Sequence, residues 1–221
     1  MGIVDPQPRW ALVTGASAGI GEAFARELAA RGTNLVMTAR RRDRLDALAG
    51  ELVSRNAIRV ECIAADLADP QAPGQICAEI DRLGIAVDAL VNNAGYGLPG
   101  HFHAQPWQAH AQFLQVMVSS PCELVHKLLP GMQQRGYGRI INVASLAGLI
   151  PGSSGHTLYA ASKAFLIKFS QSLALENAAR GVNVCAVCPG FTYSEFHDVT
   201  GTRNIVSKMP NWMWLTAAEV A

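Results

Sequence analysis

Tyr159 and Lys163 are the residues of this sequence whose types and spacing best fit proton-transfer chemistry. They stand four residues apart in a helical pattern, so both side chains project from one face of a helix. A free tyrosine has a pKa of about 10, which is too high for an efficient base near neutral pH. One lysine ammonium at about 4 Å, at an effective dielectric of about 20, supplies the roughly 4 kcal/mol needed to lower that pKa by about three units. The pair predicts a tyrosine that exchanges a proton with a substrate.

A glycine-rich turn between the first strand and its helix indicates a phosphate-binding site. The run Thr14-Gly-Ala-Ser-Ala-Gly-Ile-Gly21 follows an apolar segment and leads into a helical one. Gly15, Gly19 and Gly21 permit a tight turn and a close approach of the backbone to a pyrophosphate, which would lie on the free N–H groups of the helix N-terminus. Glycine also serves ordinary turns and packing, so the signal depends on this strand-to-helix context.

Three arginines follow the second strand, where the adenosine ribose of a bound dinucleotide is expected. A cofactor without a 2′-phosphate usually meets a carboxylate there, whereas the run Ala39-Arg-Arg-Arg42 contains no acid before Asp43. Arg40 or its neighbour can hold a 2′-phosphate through a charge-assisted fork. We therefore expect NADP rather than NAD. The alternative is a basic surface at a helix start, which the helix dipole disfavours.

The elements that must position these residues alternate along the whole chain. Short apolar or β-branched runs predict strands at 10–14, 34–38, 59–64, 88–92, 138–143 and 182–187. Between them, helical patterns cover 20–31, 43–55, 72–83, 106–134 (with a break near Pro121) and 157–180. This alternation predicts one α/β domain over residues 1–221, a Rossmann-like doubly wound parallel sheet in three α/β/α layers with strand order 3-2-1-4-5-6.

Together, the motifs resemble those of the short-chain dehydrogenase/reductase family in its classical form, from Trp10 to about His197. They occur in the expected order: Thr14-Gly-x-x-x-Gly-x-Gly21, Asp66-Leu67, Asn92-Asn-Ala-Gly95, Ser145, Tyr159-x-x-x-Lys163 and Pro189-Gly190. Taken singly, each residue has an ordinary structural explanation. The ordered set makes that explanation improbable.

The resemblance implies an oxidoreductase that moves a hydride between a nicotinamide and a carbonyl or secondary alcohol. Ser145 is expected to hold the substrate oxygen, Tyr159 to act as general acid or base, and Lys163 to hold the nicotinamide ribose. Asp66 is expected to meet the adenine ring, and Asn92 to support the central strand while lining the cofactor cleft. The residues expected to bind the cofactor are Gly15, Ser17, Gly19, Ile20, Gly21, Arg40, Asp66, Leu67, Asn93, Ala94, Gly95, Tyr159, Lys163, Pro189, Gly190 and Ser194.

One position departs from the family pattern. The family usually has an Asn on the long helix before the fifth strand, and the corresponding position, counted back from Pro130, is Met117. Met has no donor and only a weak acceptor, so it cannot hold the water that links the lysine to solvent. Ser120, one turn further on, is a hypothetical substitute. The departure favours an alternative function, a nucleotide-binding sensor or regulator without catalysis. A Rossmann-type methyltransferase or epimerase fits less well because of the Tyr–Lys pair.

Composition limits the partners that this chain is expected to have. Its 221 residues are 50% hydrophobic and carry a net charge of +1, which gives no field for gripping nucleic acid or an anionic membrane. It contains no run of about 18 apolar residues and no secretion signal. We therefore expect a cytoplasmic enzyme with a small-molecule substrate, without a nucleic-acid, membrane or metal partner. The resemblance implies a homodimer or homotetramer formed through the two long helices.

The five cysteines include one pair with the spacing of redox and zinc sites, Cys185 and Cys188. Residues three apart on a strand point to opposite faces, and no second pair completes a zinc set. We expect both to be small core residues of a buried strand. His101 and His103 are likewise expected to be exposed or pocket-lining loop residues rather than metal ligands.

Loops after the strands supply the candidate substrate contacts. An apolar substrate of small to medium size is predicted by Leu98, Leu149, Ile150 and Phe191. His156, three residues before Tyr159, is expected at the cleft mouth, and His197 is a weaker candidate of the same kind.

The C-terminal stretch leaves two interpretations open for its aromatic residues. Trp212 and Trp214 belong either to a substrate lid or to the core. Thr216 is predicted to cap a short helix, with Glu219 completing a capping box. Because that helical pattern stops after about six residues, we expect the natural chain to continue beyond Ala221.

Overall fold

Parallel strands form the central sheet of the computed structural model, which describes residues 9–195 and 210–221. The strands are β1 (Trp10–Thr14), β2 (Asn34–Ala39), β3 (Val60–Ala64), β4 (Val87–Asn92), β5 (Gly138–Val143) and β6 (Val182–Val187). Their order is β3-β2-β1-β4-β5-β6, which confirms the predicted topology. Every residue of β1 is buried, because this strand lies between β2 and β4 and has helices over both faces.

Helices cover the two faces of the sheet. They are α1 (Gly19–Ala30), α2 (Arg42–Arg55), α3 (Ala72–Arg82), α4 (Trp107–Leu114), α5 (Ser120–Arg135) and α6 (Thr157–Asn177). Successive residues of β1 enter different cores: Leu12 packs in the cluster that contains Ile76 and Leu124, and Val13 in the cluster that contains Phe24. The three-layer α/β/α architecture is thereby confirmed.

The helical region between β4 and β5 is broken where the sequence predicts a break. A π-helical segment, Gln115–Ser119, separates α4 from α5, and Pro121 stands at the start of α5. Proline has no N–H to donate to the carbonyl four residues earlier, that of Met117, which disfavours a regular α-helix at this point. A π-helical segment of this kind often occurs at functional sites.

A second, two-stranded parallel sheet was not predicted. It consists of β7 (Phe191–Tyr193) and β8 (Trp214–Thr216) and precedes the short helix α7 (Ala217–Val220). Three residues are too few to show strand periodicity, so only the pairing of distant segments defines these strands. The predicted capping box of α7 is present, with the Thr216 hydroxyl accepting from the Glu219 N–H at 3.2 Å.

The prediction that Cys185 and Cys188 are both core residues is wrong for Cys185. Cys185 is exposed, and Cys188 is partly buried. In the part of the chain that the structure describes, β6 pairs only with β5 and is therefore the edge of the sheet. An edge strand has a neighbour on one side only, so its side chains are less covered than those of a central strand.

None of the helices within residues 9–195 and 210–221 has both the length and the apolarity needed to cross a membrane.

Candidate active site

A cleft of about 980 Å³ opens beyond the carboxyl ends of β1, β4, β5 and β6. Strand order reverses between β1 and β4, which is the position where doubly wound sheets bind ligands. The predicted site residues that line the cleft are Gly19, Ile20, Asn93, Gly95, Ser145, Tyr159, Lys163, Pro189, Gly190 and Ser194. The remaining predicted residues, Gly15, Ser17, Gly21, Arg40, Asp66, Leu67 and Ala94, lie outside its lining.

The glycine turn has no room for a side chain at Gly15 or Gly21. Gly15 and Gly19 are left-handed, with φ of 67° and 58°. A Cβ added at Gly15 would lie 2.9 Å from the Ala94 Cα, and one added at Gly21 would collide with the Gly15 carbonyl. α1 begins at Gly19, and among the described residues no side chain caps it. Its first N–H groups are therefore available to an anion, and this cradle fits a dinucleotide pyrophosphate.

Asn93 joins the end of β4 to the glycine turn. Its Nδ2 donates to the Thr14 carbonyl at 2.9 Å, and the Thr14 hydroxyl accepts from the backbone N–H groups of Asn93 and Ala94 at 2.9 and 3.0 Å. Asn92 is buried, and its Nδ2 donates to Asn142 Oδ1 at 2.9 Å. Asn92 thus supports the central strands as predicted. The cleft is lined by Asn93 instead, since neighbouring strand residues point to opposite faces.

The arginines after β2 take different positions. Burial raises the pKa of Tyr96. The charge of Arg40, which lies nearby, opposes this rise, and the charge of Asp66 adds a smaller increase. Arg41 directs Nε and Nη2 to Ser17 Oγ at 3.4 and 3.2 Å. Arg41, the neighbour of Arg40, therefore reaches the glycine turn.

Asp66 and Leu67 are placed by local structure after β3. Asp66 Oδ1 accepts from the Ala68 N–H at 3.0 Å, and the buried Leu67 accepts at its carbonyl from the Ser120 hydroxyl at 2.9 Å. Gln115 Nε2 donates to the same Ser120 oxygen at 3.1 Å. The single hydroxyl proton of Ser120 is committed to Leu67. The hypothesis that Ser120 replaces the missing Asn finds no support in this geometry.

Met117 fills space beside the cleft. It is buried, and its Sδ lies 2.9 Å from the position that a Cβ on Gly95 would take. A side chain at position 95 would therefore have to displace the Met117 thioether that packs there. The structure places an apolar side chain at this point of the π-helical segment, as the sequence predicted.

Ser145, Tyr159 and Lys163 share one wall of the cleft. Ser145 follows β5, and the other two lie one turn apart on α6. The Ser145 hydroxyl is hydrogen-bonded to Tyr159. Lys163 Nζ donates to the Val143 carbonyl at 2.7 Å and lies 5.7 Å from the centroid of the Tyr159 ring.

Burial dominates the protonation of this wall. It raises the pKa of Tyr159, and the hydrogen bond from Ser145 opposes this rise. Burial also lowers the pKa of Lys163 to about 8, with Cys188 acting in the opposite direction. The direction at Tyr159 is opposite to the one predicted from the lysine charge alone, because lost hydration penalises the phenolate. The chain's own residues thus hold a neutral phenol near neutral pH.

The cleft also has an apolar part. Its lining includes Leu146, Ile150, Phe191, Trp212 and Met213. Trp212 is 83% exposed and lies at the rim, whereas Trp214 packs on Tyr193 with ring centroids 4.7 Å apart. Among the predicted substrate contacts, Ile150 and Phe191 line the cleft. By contrast, Leu98 packs against the main core and Leu149 is exposed.

The histidine predictions have mixed outcomes. His156 lines the cleft as predicted, and His197 lies outside the described residues. His101 and His103 are exposed, with their rings stacked 6.3 Å apart. Across the two described ranges, no three His, Cys, Asp or Glu side chains converge as a metal site requires.

Met213 and Glu195 are among the cleft residues that the sequence analysis did not predict. Neither belongs to a motif. For Glu195, the available signal was its position directly after Ser194, the last predicted cofactor contact.

Comparisons with known proteins agree with this geometry. The family model described as short chain dehydrogenase matches residues 9–204. A nodulation protein G of Rhizobium sp. (strain N33) is 40% identical over 219 residues, which is 96% of this chain and 86% of that protein. A very-long-chain 3-oxoacyl-CoA reductase of Anas platyrhynchos is 35% identical over 196 residues, which is 86% of this chain. This chain spans only 62% of the length of that reductase.

Among solved structures, a short-chain dehydrogenase from Sphingobium yanoikuyae in complex with NADPH superposes with a TM-score of 0.87 and 34% identity. The match covers 96% of this chain and 80% of that one. The family model spans most of the chain. The chain therefore belongs to the short-chain dehydrogenase/reductase family.

Proposed function

We propose that this chain is an oxidoreductase that uses NADP(H) to interconvert a carbonyl and a secondary alcohol, with Tyr159 as the general acid or base. The observation that carries the proposal is the convergence of Ser145, Tyr159 and Lys163 on the cleft that also holds the glycine turn. The nicotinamide, when bound, supplies or accepts the hydride. The chain supplies the proton and the orientation.

The protonation of the wall fits carbonyl reduction. Ser145 and Tyr159 present hydroxyl groups to a carbonyl oxygen, and Tyr159 transfers its phenolic proton to that oxygen as negative charge develops there. Because burial raises the pKa of Tyr159, the phenol begins the reaction protonated. The Lys163 ammonium then stabilises the phenolate that remains.

The choice of NADP(H) is supported by the basic side chains beside the glycine turn. Arg41 contacts Ser17, and the residues directly after β2 are arginines rather than the carboxylate that usually binds the ribose of NAD. A guanidinium fork matches the geometry of a phosphate. The similar structure from Sphingobium yanoikuyae was solved with NADPH.

The apolar end of the cleft supports a substrate with a large hydrocarbon part. Ile150, Phe191 and Trp212 offer surface for such a group, and a hydrophobic wall favours apolar substrate in proportion to the area it covers. The similar reductase of Anas platyrhynchos is named for very-long-chain 3-oxoacyl-CoA.

Three wider features remain proposals. We propose one domain over residues 1–221, on the continuity of sheet and helices between its described parts. We propose a homodimer or homotetramer, supported by Phe165 and Leu175 of α6, which are 41% and 82% exposed. We propose a cytoplasmic location, supported by five cysteines that are all free thiols.

The decisive test is Tyr159→Phe, which removes one hydroxyl and keeps the ring. Turnover of a panel of ketones with NADPH and with NADH should fall by at least a hundredfold, because the proton donor is gone. NADPH binding, measured by calorimetry, should change less than threefold. Full turnover by the variant would refute the role of Tyr159. A wild-type protein that binds NADPH but reduces no ketone would favour the sensor function.

A further inference from the structure

A carboxylate from the segment after β7 reaches the arginines after β2. Glu195 Oε2 pairs with Arg41 Nη1 at 2.9 Å, and Glu195 Oε1 pairs with Arg44 Nη1 at 2.6 Å. Arg41 also donates to the Ser17 hydroxyl. One acidic side chain therefore joins two guanidinium groups that stand 154 and 151 residues away in sequence.

The backbone that carries Glu195 lies on the glycine turn. A Cβ added at Gly19 would be 3.0 Å from the Ser194 Cβ, and Ser194 and Glu195 line the cleft beside Ala18 and Gly19. Because α1 begins at Gly19, the segment after β7 passes over the helix N-terminus. The Glu195 carboxylate is thus held beside the glycine turn, on the arginines that follow β2.

We propose that Glu195 is an internal competitor of the cofactor 2′-phosphate: its carboxylate holds Arg41 and Arg44 until NADP(H) exchanges it for the phosphate. This inference rests on the proposed use of NADP(H). Glu195 then sets how strongly the enzyme prefers NADPH over NADH. NADH carries a hydroxyl at the 2′ position and brings no anion that would displace the carboxylate.

The physical basis is competition for the same donors. Hydrogen bonds from Arg44 and Arg41 lower the pKa of Glu195, so this side chain is charged at neutral pH. A carboxylate and a phosphate both require the guanidinium N–H groups, and they repel each other. The side chains of the three residues are 42% to 45% exposed. Ion pairs of this kind are weak and exchange readily, and a phosphate brings more charge and more acceptor oxygens.

The experiment compares Glu195→Gln with the wild-type chain by isothermal titration calorimetry. The substitution keeps the side-chain size and removes its charge. The ligands are NADPH, NADH and adenosine 2′,5′-bisphosphate, which carries the 2′-phosphate without a nicotinamide. NADPH and the bisphosphate should bind about three- to tenfold more tightly to the variant, as expected for the loss of two exposed ion pairs. Binding of NADH should change less than twofold.

Glu27→Gln is the matched control. Glu27 pairs with Arg31 at 2.6 Å on the exposed surface of α1, so the same net charge is removed elsewhere. It should leave all three affinities unchanged. In a chain that carries Arg41→Ala and Arg44→Ala, adding Glu195→Gln should change binding less than twofold, because the competition requires the arginines and the remaining repulsion between exposed charges is screened.

The outcomes separate this role from the proposed function. Unchanged or weaker NADPH binding by Glu195→Gln, or an equal gain for NADPH and NADH, overturns the competitor role. The proposed use of NADP(H) is judged from the wild-type chain alone. If the wild-type chain shows no preference for NADPH but Glu195→Gln does, the competitor role stands. If neither shows a preference, both proposals fail.

Discussion

At the scale of single residues, the buried lysine of the catalytic wall carries the clearest conflict between stability and function. Lys163 is 5% exposed, and its Nζ donates to the Val143 carbonyl at 2.7 Å. Burial lowers its pKa from 10.5 to about 8. The folded chain therefore releases this proton more readily than the unfolded chain. At a pH where the amine is charged in the unfolded chain, burying it lowers the stability of the fold.

Lys163→Met should inactivate the enzyme and stabilise the fold at pH 7. A lowering of this size corresponds to about 3 kcal/mol of burial cost, and loss of the hydrogen bond to Val143 returns about 1 kcal/mol. Below pH 8 the cost is fully present. It disappears as pH rises from about 8 to 10.5, since the unfolded chain then also loses its proton.

Urea unfolding at pH 7 and at pH 10 measures this effect. We expect Lys163→Met to gain about 2 kcal/mol at pH 7 and little at pH 10. Lys168→Met, on the exposed side of α6, serves as the control and should change neither value. A variant that is less stable than the wild-type chain at pH 7 would contradict the assignment of a buried, charge-penalised amine.

At the scale of elements, the catalytic wall depends on how closely the loop after β5 packs on α6. A 3₁₀ turn, Leu146–Gly148, follows Ser145 and contacts α6 through Gly148. A Cβ at Gly148 would lie 2.7 Å from the Ala164 backbone nitrogen. Since backbone atoms cannot move aside as a flexible side chain can, a glycine is needed to keep Ser145 beside Tyr159.

Gly148→Ala should separate the loop from α6 and weaken catalysis. We expect a loss of stability of about 1–3 kcal/mol from overpacking, together with at least a tenfold fall in kcat as Ser145 moves from Tyr159. Gly152→Ala lies in the same loop with nothing within 4 Å of the added Cβ, and it should behave as wild type. Steady-state kinetics and thermal unfolding of both variants provide the measurement. Equal behaviour of the two variants would contradict the packing requirement.

At the scale of the whole molecule, strand order brings distant motifs to one edge of the sheet. β1 lies at the centre, so the glycine turn after β1, Asn93 after β4, Ser145 after β5 and Pro189 after β6 meet at the same cleft. The small β7–β8 sheet closes one side of it. Trp214 of β8 packs against Phe191 and Tyr193 of β7, with ring centroids 5.4 and 4.7 Å away.

Trp214→Ala should loosen this side of the cleft and leave the central sheet intact. We expect KM for an apolar ketone to rise about tenfold or more. Without the Trp214 ring, Phe191 in the cleft wall is no longer held in one position to contact the substrate. The melting temperature should fall by only a few degrees. Trp212→Ala is the control. Because Trp212 is 83% exposed, this substitution should leave the melting temperature unchanged. A fall of the same size in both variants would exclude the bracing role of Trp214.

The amino-acid sequence by itself determined the sheet order and several of the residues that line the cleft, among them Ser145, Tyr159 and Lys163. Strand and helix periodicity is local, and motifs such as Thr14–Gly21 or Tyr159–Lys163 contain their own spacing. The break at Pro121 followed from its missing N–H. These features depend on neighbours within a few residues, so a linear pattern is enough to predict them.

Only the tertiary structure decided the electrostatics. Burial by distant segments reversed the predicted pKa shift of Tyr159, and packing across the cleft brought Glu195 to Arg41 and Arg44. The exposure of Cys185 likewise depends on which strands pair with β6. Hydration and charge pairing depend on distance in space, and residues 154 positions apart leave no trace of their contact in one sequence.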